Sequence, residues 1–253
     1  MRYADFKFPA PFLAVLLTAF SLLLFNFETK GQAALIALLF GDKVASENFN
    51  LSLEVGMNFS DISNFENAKK RRGAINFGIA GNIRLSDNWY VSPNVYFWSR
   101  RRLHLNSFSL YTGNPSIDSQ FVDVPTNFVM NYIDVPVLFS YQTDNKKFRF
   151  STGPQLSFMQ NTTASFSGVD GDFEQDFNEL VHDIDFGALI DVAYILGKAH
   201  KGKGLHLHFR YYYGFTNVFD NGVLVDDNQL SFYSFHISLP FITDELAARN
   251  LEN

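Results

Sequence analysis

The sequence predicts an all-β protein, an eight-stranded antiparallel up-and-down transmembrane β-barrel. The first observation behind this prediction is strict alternation. From Phe49 to Phe59 every second residue is apolar, and the residues between are polar or glycine; the stretch from Leu205 to Phe215 repeats the pattern. Successive side chains of a strand point to opposite faces, so each stretch has one face suited to hydrocarbon and one suited to a polar lumen.

The first four predicted strands share this pattern, and none carries a charge on its apolar face. They cover 49–59, 74–85, 89–99 and 129–141, and Leu53, Ile79, Val95 and Val135 lie on their apolar faces. The polar residues at 86–88 form a turn signal between the second and third strands. The chain also contains 29 Phe and 11 Tyr, residues that favour strands and membrane interfaces.

The last four predicted strands cover 147–160, 182–196, 204–216 and 230–241. Phe150, Ile190, Phe209 and Ile237 lie on their apolar faces. A polar turn from Thr143 to Lys146 precedes the fifth strand. Eight strands is an even number, as expected for a single-chain barrel of this type.

The second observation is that the connections alternate in length. Those after the second, fourth and sixth strands are short, at 86–88, 142–146 and 197–203. Those after the first, third, fifth and seventh strands are long, at 60–73, 100–127, 161–181 and 217–229. Outer-membrane barrels have short periplasmic turns and longer external loops, so both barrel termini are predicted on the periplasmic side.

The third observation is an N-terminal export signal, predicted at residues 1–33. Arg2 and Lys7 precede an uncharged apolar run from Phe12 to Phe25, and small residues near Ala33 suit cleavage. An uncleaved anchor is the alternative, but the run is short for a span of about 20 residues. The predicted order is a signal peptide at 1–33, a periplasmic segment at 34–48, the outer-membrane barrel at 49–241 and a periplasmic tail at 242–253.

A soluble eight-stranded barrel such as a lipocalin is the alternative fold, because alternation alone does not tell which face points inward. Three features favour the membrane: the export signal, the uncharged apolar faces and the aromatic residues near strand ends. Trp89, Tyr141, Tyr194 and Tyr213 are predicted to lie at the membrane interfaces. The predicted location is therefore the outer membrane of a Gram-negative-type cell.

Several short blocks resemble the PorT-like family of outer-membrane β-barrel proteins. They are Leu39–Lys43, Leu53–Ser60, Tyr132–Leu138, Gly153–Gln155, Asp185–Gly187 and Arg210–Asn217, and the Tyr-Ile-Asp-Val-Pro run from Tyr132 is the most specific. The resemblance implies an outer-membrane barrel and permits a role in protein secretion, with which the founding member of that family is associated. One departure is that Phe241 is followed by further residues, whereas such barrels usually end on an aromatic residue.

The predicted inward faces carry charges of both signs. We expect these residues to form an ion-pair network that fills the lumen: Glu54, Arg84, Asp134, Arg149, Asp183, Asp185, Asp191 and Arg210. An active site or an ion path is the alternative. An eight-stranded barrel has room for little besides side chains, and buried charges need partners, so the network is the favoured interpretation.

Four histidines and an acidic loop are the remaining candidates for chemistry. His182, His206, His208 and His236 could serve as metal ligands or as a base, but no third ligand or nucleophile is marked by spacing. The acidic loop at 170–176 contains Gly171 but has no glycine at the position that a calcium loop requires. No metal, no cofactor and no catalytic residue is predicted, and the protein is not expected to be an enzyme.

Two basic runs lie at predicted strand ends on the external side. They are predicted to contact lipid phosphates and comprise Lys69, Lys70, Arg71 and Arg72, followed by Arg100, Arg101 and Arg102. Nucleic-acid binding and a solvated rim are the alternatives. The net charge of −6 argues against a nucleic-acid partner.

Together these features predict a non-enzymatic envelope barrel with a structural, adhesive or protein-secretion-associated role. Its expected partners are outer-membrane lipids and, beyond them, other envelope or secretion proteins, with no nucleic acid. Two other functions stay open: a small outer-membrane enzyme acting on lipid or peptide, and a narrow channel. The filled lumen argues against the channel, and the missing nucleophile constellation argues against the enzyme.

Overall fold

A computed structural model of the chain describes residues 49–63, 72–110, 112–169, 171–200, 203–219 and 227–242. These residues all belong to one compact unit that spans Ser46–Asn253. The predicted signal peptide at 1–33, the segment at 34–48 and the tail beyond residue 242 lie outside the described residues.

The described residues form nine strands, and two of their connections contain a short helical turn. They are β1 (Phe49–Ile62), β2 (Gly73–Arg84), β3 (Trp89–Phe108), β4 (Val124–Gln142), β5 (Phe148–Gly168), β6 (Gly171–Asp176), β7 (Ile184–His200), β8 (Lys203–Asn217) and β9 (Gln229–Ile242). A short helix α1 (Pro115–Asp118) follows β3, and a 3-10 turn (Asn178–Leu180) precedes β7. None of the described helices is long and apolar enough to cross a membrane.

Eight of the strands close into a ring of antiparallel pairs. The order is β1-β2-β3-β4-β5-β7-β8-β9, and β9 pairs again with β1. The sixth strand is outside the ring, since it pairs only with the last part of β5, from Thr163 to Gly168. The predicted eight-stranded antiparallel up-and-down barrel is therefore confirmed.

The connections are long at one end of the ring and short at the other. Connections at 63–72, 109–123, 169–183 and 218–228 lie at one end, which we call the outer end. Connections at 85–88, 143–147 and 201–202 lie at the opposite, inner end. This asymmetry is typical of outer-membrane barrels, whose longer loops face the exterior.

An exposed apolar belt surrounds the part of the ring nearer the inner end. Its side chains, each at least one-third exposed, include Val55, Met57, Ile75, Trp98, Val137, Phe139, Phe150, Leu156, Ile184, Phe186, Ile190, Val192, Leu207, Phe209, Phe215, Phe235, Ile237 and Leu239. Water would disfavour so large a continuous apolar surface, whereas hydrocarbon would solvate it.

Aromatic side chains gather at the inner edge of this belt. The Trp89 ring lies 4.9 Å from the Phe139 ring and 5.0 Å from the Tyr141 ring, centroid to centroid. The rings of Phe148 and Tyr194 are 5.2 Å apart. Trp and Tyr at this position are typical of a membrane–water interface.

The polarity of the two faces exchanges along the strands, and β4 shows this most clearly. Towards the inner end, Val137 is exposed on the outer surface and Asp134 is buried inside. Towards the outer end, Asn131 faces outward and Met130 is buried inside. The strand therefore has the faces of a membrane barrel in one half and those of a soluble barrel in the other.

Two β-bulges lie at the level where polarity exchanges. In β3 an extra residue separates Tyr96 from Ser99 relative to their partners on β4. In β5 an extra residue separates Met159 from Asn161 relative to β4. Each bulge changes which face the following odd- and even-numbered residues occupy, because side chains in a strand alternate.

The inward direction of apolar residues at the outer end explains where the sequence-predicted strand limits are wrong. The third strand was predicted to end at 99, the fourth to begin at 129 and the fifth to end at 160. Instead β3 continues to Phe108, β4 begins at Val124 and β5 continues to Gly168. Beyond the bulges in β3 and β5 the apolar residues of the alternation point inward. In β4, which has no bulge, the inward residues become apolar towards its start, at Phe128 and Met130. None of these segments has the outward apolar face from which the strands are predicted.

The added strand segments and the first residues of the predicted fourth strand form an outer platform, comprising 100–108, 124–131, 161–168 and β6. The inward side of this platform and the neighbouring strand ends enclose a hydrophobic core. Its buried members are Ile62, Leu103, Leu105, Leu110, Phe121, Phe128, Met130, Tyr132, Ala164, Phe166, Phe177, Val181, Tyr212, Val218, Phe219, Leu230 and Phe232. This core fills the outer end of the ring.

Hydrogen bonds order the loop that contains α1. The Asn114 side chain accepts from the backbone N–H of Ser116 and caps the helix. The Asp118 carboxylate accepts from the hydroxyl of Thr112 at 2.7 Å, from its N–H at 2.8 Å and from the N–H of Gly113 at 3.1 Å. These hydrogen bonds favour the charged form and lower the pKa of Asp118 below its usual value.

Candidate functional site: the filled lumen and the outer rim

The interior of the ring below the hydrophobic core is polar, and three buried arginines organise it. Arg101 lies nearest the core, and Arg210 and Arg149 lie closer to the inner end. All three are almost completely buried. Alternation on β3, β5 and β8 turns these side chains inward.

Arg101 joins four consecutive strands of the ring. Its guanidinium lies 2.7 Å from the Asp134 carboxylate of β4 and 3.1 Å from the Asp185 carboxylate of β7. It also donates to the Ser157 hydroxyl of β5 at 2.9 Å. Two carboxylates on one guanidinium compensate its burial, so the cluster ties β3, β4, β5 and β7 together.

Further hydroxyls and rings complete the surroundings of Arg101. The Ser99 hydroxyl donates to Asp134, and the Tyr212 hydroxyl donates to Asp185 at 2.9 Å. The Arg101 Cζ atom lies 4.0 Å from the centroid of the Tyr132 ring and 5.2 Å from that of Phe232. Aromatic faces attract a guanidinium, so the core above Arg101 also stabilises its charge.

Glycine at position 187 leaves room for one of these partners. A Cβ atom there would lie 2.6 Å from the ring of Tyr212 and 2.2 Å from the backbone oxygen of Tyr213. Neither contact is tolerated without displacement. The glycine therefore leaves room beside β7 for the Tyr212 ring, whose hydroxyl reaches Asp185.

Arg210 is the centre of a second cluster that crosses the lumen. Its guanidinium contacts Glu54 of β1 at 2.9 Å and Asp191 of β7 at 2.8 Å. Tyr96 of β3 accepts from Arg210 and donates to Glu54. His208 lies 3.0 Å from Asp191 through Nδ1. This cluster connects β8 with strands on both sides of the ring.

Arg149 is held by amides rather than by carboxylates. It donates to the Asn82 amide oxygen at 2.7 Å and to that of Gln142 at 3.1 Å, and its Cζ atom lies 4.2 Å from the Tyr90 ring centroid. Beside it is a small polar cavity that also contacts His208, with room for about one water molecule. The hydrogen bond from Arg149 of β5 to Asn82 of β2 therefore also spans the lumen.

The arrangement braces the ring and fills it. The buried carboxylates of Asp134 and Asp185 pair with Arg101, and those of Glu54 and Asp191 pair with Arg210, while two amides hold Arg149 and the imidazole of His208 lies against Asp191. Charges that are paired and hydrogen-bonded in this way are retained at low cost, whereas removal of one partner leaves its counterpart buried and unpaired.

Six of the eight residues predicted for the lumen network lie inside the ring: Glu54, Asp134, Arg149, Asp185, Asp191 and Arg210. The prediction is wrong for the other two. Arg84 is 42% exposed at the inner end, where it pairs with Asp87. Asp183 is exposed just before β7. Both lie at strand ends, where alternation no longer decides whether a side chain enters the lumen.

The histidines divide between surface and lumen. His182 is exposed, His208 and His236 are buried, and His206 is partly buried. Within the described ranges no three His, Asp or Glu side chains are grouped so that they could hold a metal ion.

The basic runs are also divided by the structure. Lys69, Lys70 and Arg71 lie outside the described residues, and Arg72 is exposed. Arg100 and Arg102 face outward, but the prediction that Arg101 contacts lipid is wrong, because its side chain is fully buried. Adjacent side chains of a strand point to opposite faces, so the middle arginine of three cannot share the surface of its neighbours.

Sequence reasoning missed the tyrosine and serine partners of the arginines. Tyr96 and Tyr212 occupy inward positions and bind the carboxylates of both clusters. Ser99 lies beyond the bulge in β3, so its inward direction could not be read from the alternation. The alternation of β3 and β8 places Tyr96 and Tyr212 on the inward face, and this was the sequence feature that could have predicted them as partners of the buried charges.

Residues 40–220 match the family described as the outer membrane protein beta-barrel domain. The chain belongs to this family. The match supports an outer-membrane location and a lipid environment for the apolar belt. The narrower PorT-like resemblance, the signal peptide and a role in secretion stay predictions.

Solved structures with similar folds have low sequence identity to this family member. They include Ail, the attachment invasion locus protein of Yersinia pestis (10% identity, 78% of this chain and 100% of that chain, TM-score 0.43). Neisserial surface protein A (14% identity, 76% and 97%, TM-score 0.39) and OprG of Pseudomonas aeruginosa (10% identity, 78% and 97%, TM-score 0.35) are also similar. No curated protein matches the sequence.

Proposed function

We propose that this barrel is a non-conducting, non-enzymatic envelope protein with a structural or adhesive role, which carries a rigid polar platform outside the outer leaflet. The observation that carries this proposal is the continuous filling of the ring. The arginine clusters occupy the polar part of the lumen, and the hydrophobic core closes its outer end.

A conducting path would have to pass two barriers in series. The first is the cluster of Arg101, Asp134 and Asp185, whose atoms are at hydrogen-bonding distance across four strands. The second is the core above it, where Phe128 and Phe166 are fully buried. Hydrated ions cannot cross packed aromatic rings, so opening would require both layers to separate.

Conductance in planar lipid bilayers tests this proposal. The purified full chain should insert without ohmic current steps, and a known porin in the same bilayers provides the positive control. Insertion is checked independently by protection of the barrel from added protease. Stepwise current from protease-protected protein would contradict the non-conducting role and favour the narrow channel.

An enzymatic role is disfavoured by the burial of the groups that could perform chemistry. Ser151, Asp191 and His208 are near one another inside the ring, but each is at most 8% exposed. Among the described residues, the hydrophobic core closes the outer end above them, and the cavity beside them has room for about one water molecule, which is too little for a lipid or a peptide. Purified protein should leave labelled phospholipid and peptide unchanged; turnover that disappears in His208→Ala would contradict this proposal.

A secretion-associated role is the second candidate, and the blocks shared with PorT-like barrels favour it. Tyr132 and Asp134, from the most specific block, both contact Arg101. The block therefore builds the central brace of this ring and is a structural reason to propose the narrower relationship. Co-purification from native envelope tests it: recovery with secretion components supports the role, and recovery of the barrel alone contradicts it.

A further inference from the structure

Two arginines lie on the outer surface of β3, immediately beyond the apolar belt. Trp98 is the last belt residue of this strand and is 54% exposed. Arg100 and Arg102 follow on the same outward face, because side chains two residues apart in a strand share a face. The pair thus begins where hydrocarbon ends.

The distance from Trp98 places Arg100 within the headgroup layer and Arg102 just outside it, within reach of a long side chain. A strand rises about 3.3 Å per residue, and barrel strands tilt by about 40°, so Arg100 and Arg102 lie roughly 5 Å and 10 Å further out along the membrane normal. The headgroup region of one leaflet is about 5–7 Å thick. Long arginine side chains therefore reach lipid phosphates from both positions.

The side chain of Arg100 is held in place by its neighbours. Its Nε donates to the Asn131 amide oxygen at 2.9 Å, and Asn131 donates in turn to the amide oxygen of Asn161 at 2.9 Å. The Arg100 Cζ atom lies 5.4 Å from the centroid of the Trp98 ring. This row of hydrogen bonds across β3, β4 and β5 orients the Arg100 guanidinium through its Nε atom. Its two terminal nitrogens make no hydrogen bond in the row and can donate to a ligand.

Neither arginine has an acidic partner within the described residues. Arg102 pairs with Val129 on β4, which pairs with Thr163 on β5. The first carboxylate along this row of paired residues is that of Asp176 on β6, three strands away from Arg102. By contrast, Arg101 and Arg84 both pair with aspartates. An arginine fork fixed at the headgroup level, with no neighbouring carboxylate, suits a phosphate oxygen pair.

We infer that Arg100 and Arg102 form a binding site for the phosphate groups of outer-leaflet lipid, with Asn131 as the residue that positions Arg100. The inference is independent of the proposed non-conducting role. Within the second basic run it narrows the predicted lipid contact to two side chains and excludes Arg101.

The test measures binding of bis-phosphorylated lipid A to the full chain in mixed detergent micelles at low salt. Each arginine near such a phosphate is expected to contribute about a five-fold increase in affinity, so Arg100→Gln with Arg102→Gln should weaken binding by about 25-fold. High salt should reduce this difference. Arg84→Gln, which removes an arginine from the opposite rim, is the matched control and should bind as the wild type does.

Two further variants separate positioning from charge. Asn131→Ala keeps the net charge but releases Arg100, and it should weaken binding while binding of the same lipid without phosphates stays unchanged. Arg100→Lys keeps the charge but cannot reproduce the fork, so it should fall between the wild type and Arg100→Gln. A gel of unheated samples verifies that every variant is folded.

Equal lipid A affinity of the double variant and the wild type would overturn the inference. An equal loss in Arg84→Gln would also overturn it, because the effect would then be one of net charge. Displacement of lipid A by low millimolar inorganic phosphate would overturn the assignment to lipid, in favour of a site for the free anion. None of these outcomes alters the conductance result expected for the filled lumen.

Discussion

Replacement of Arg101 by methionine should be among the most destabilising single changes in the barrel. Methionine has a similar reach but no charge, so Asp134 and Asp185 lose the group that lies 2.7 Å and 3.1 Å from them. Both carboxylates are 2% exposed and cannot recover this interaction from water. Breaking a buried pair from one side typically costs about 3–5 kcal/mol, and here one side chain serves two carboxylates.

The assay is equilibrium unfolding in urea from detergent micelles, followed by the fluorescence of Trp89 and Trp98, the two tryptophans of the chain. Arg100→Met is the matched control, since the adjacent arginine faces outward and an exposed contact contributes only about 0–1 kcal/mol. If Arg101→Met fails to assemble, Tyr212→Phe removes a single hydrogen bond to Asp185 and should cost about 1.5–3 kcal/mol. Similar unfolding free energies for Arg101→Met and Arg100→Met would refute the brace.

Further perturbations test the belt, the ring and one loop. Ile190→Arg should reduce membrane assembly by placing a charge in lipid, at about 2–4 kcal/mol, whereas Ser165→Arg on the outer platform should not, as judged by membrane yield. Gly187→Val should lower the urea midpoint, since a Cβ would lie 2.2 Å from a backbone oxygen of β8. Unheated and boiled samples should migrate differently on SDS gels if the ring is closed. Hydrogen bonds lower the pKa of Asp118 below its ordinary value of 3.8, so the Thr112 amide should stay protected from exchange at pH 3.8, where an ordinary aspartate is half protonated, and lose protection only in stronger acid; loss of protection centred at or above pH 3.8 would contradict this.

The part of the barrel inside the membrane was predictable because one rule applies to each strand. In β7 and β8 the alternation is uninterrupted, so the outward positions of Ile190 and Phe209 and the inward positions of Asp191 and Arg210 follow directly from the sequence. Tight turns at the inner end then fix the antiparallel order. Which inward charges meet across the lumen could not be predicted, because Arg210 and Tyr96 belong to strands that are not neighbours.

The outer platform could not be predicted from an outward apolar face. Beyond the bulge in β3, Leu103 and Leu105 point inward, and their alternation has the opposite sense to that of the belt. A bulge leaves no unambiguous sequence mark, so the change of phase was not visible. Alternation alone indicates that Arg100, Arg101 and Arg102 cannot all lie on one face, but which of them is buried depends on the bulge and could not be predicted.

The level at which polarity exchanges gives Arg101 its particular value. Outside the ring, hydrocarbon ends near Trp98; inside it, the carboxylates of the lumen give way to the aromatic core at the same stretch of β3 and β4. A side chain at this level has carboxylates on one side and ring faces on the other. Arginine satisfies both, because its guanidinium hydrogen-bonds in plane to Asp134 and stacks out of plane on Tyr132. A lysine has no planar group to divide between the two, which is why the charge alone would not join the polar lumen to the apolar core.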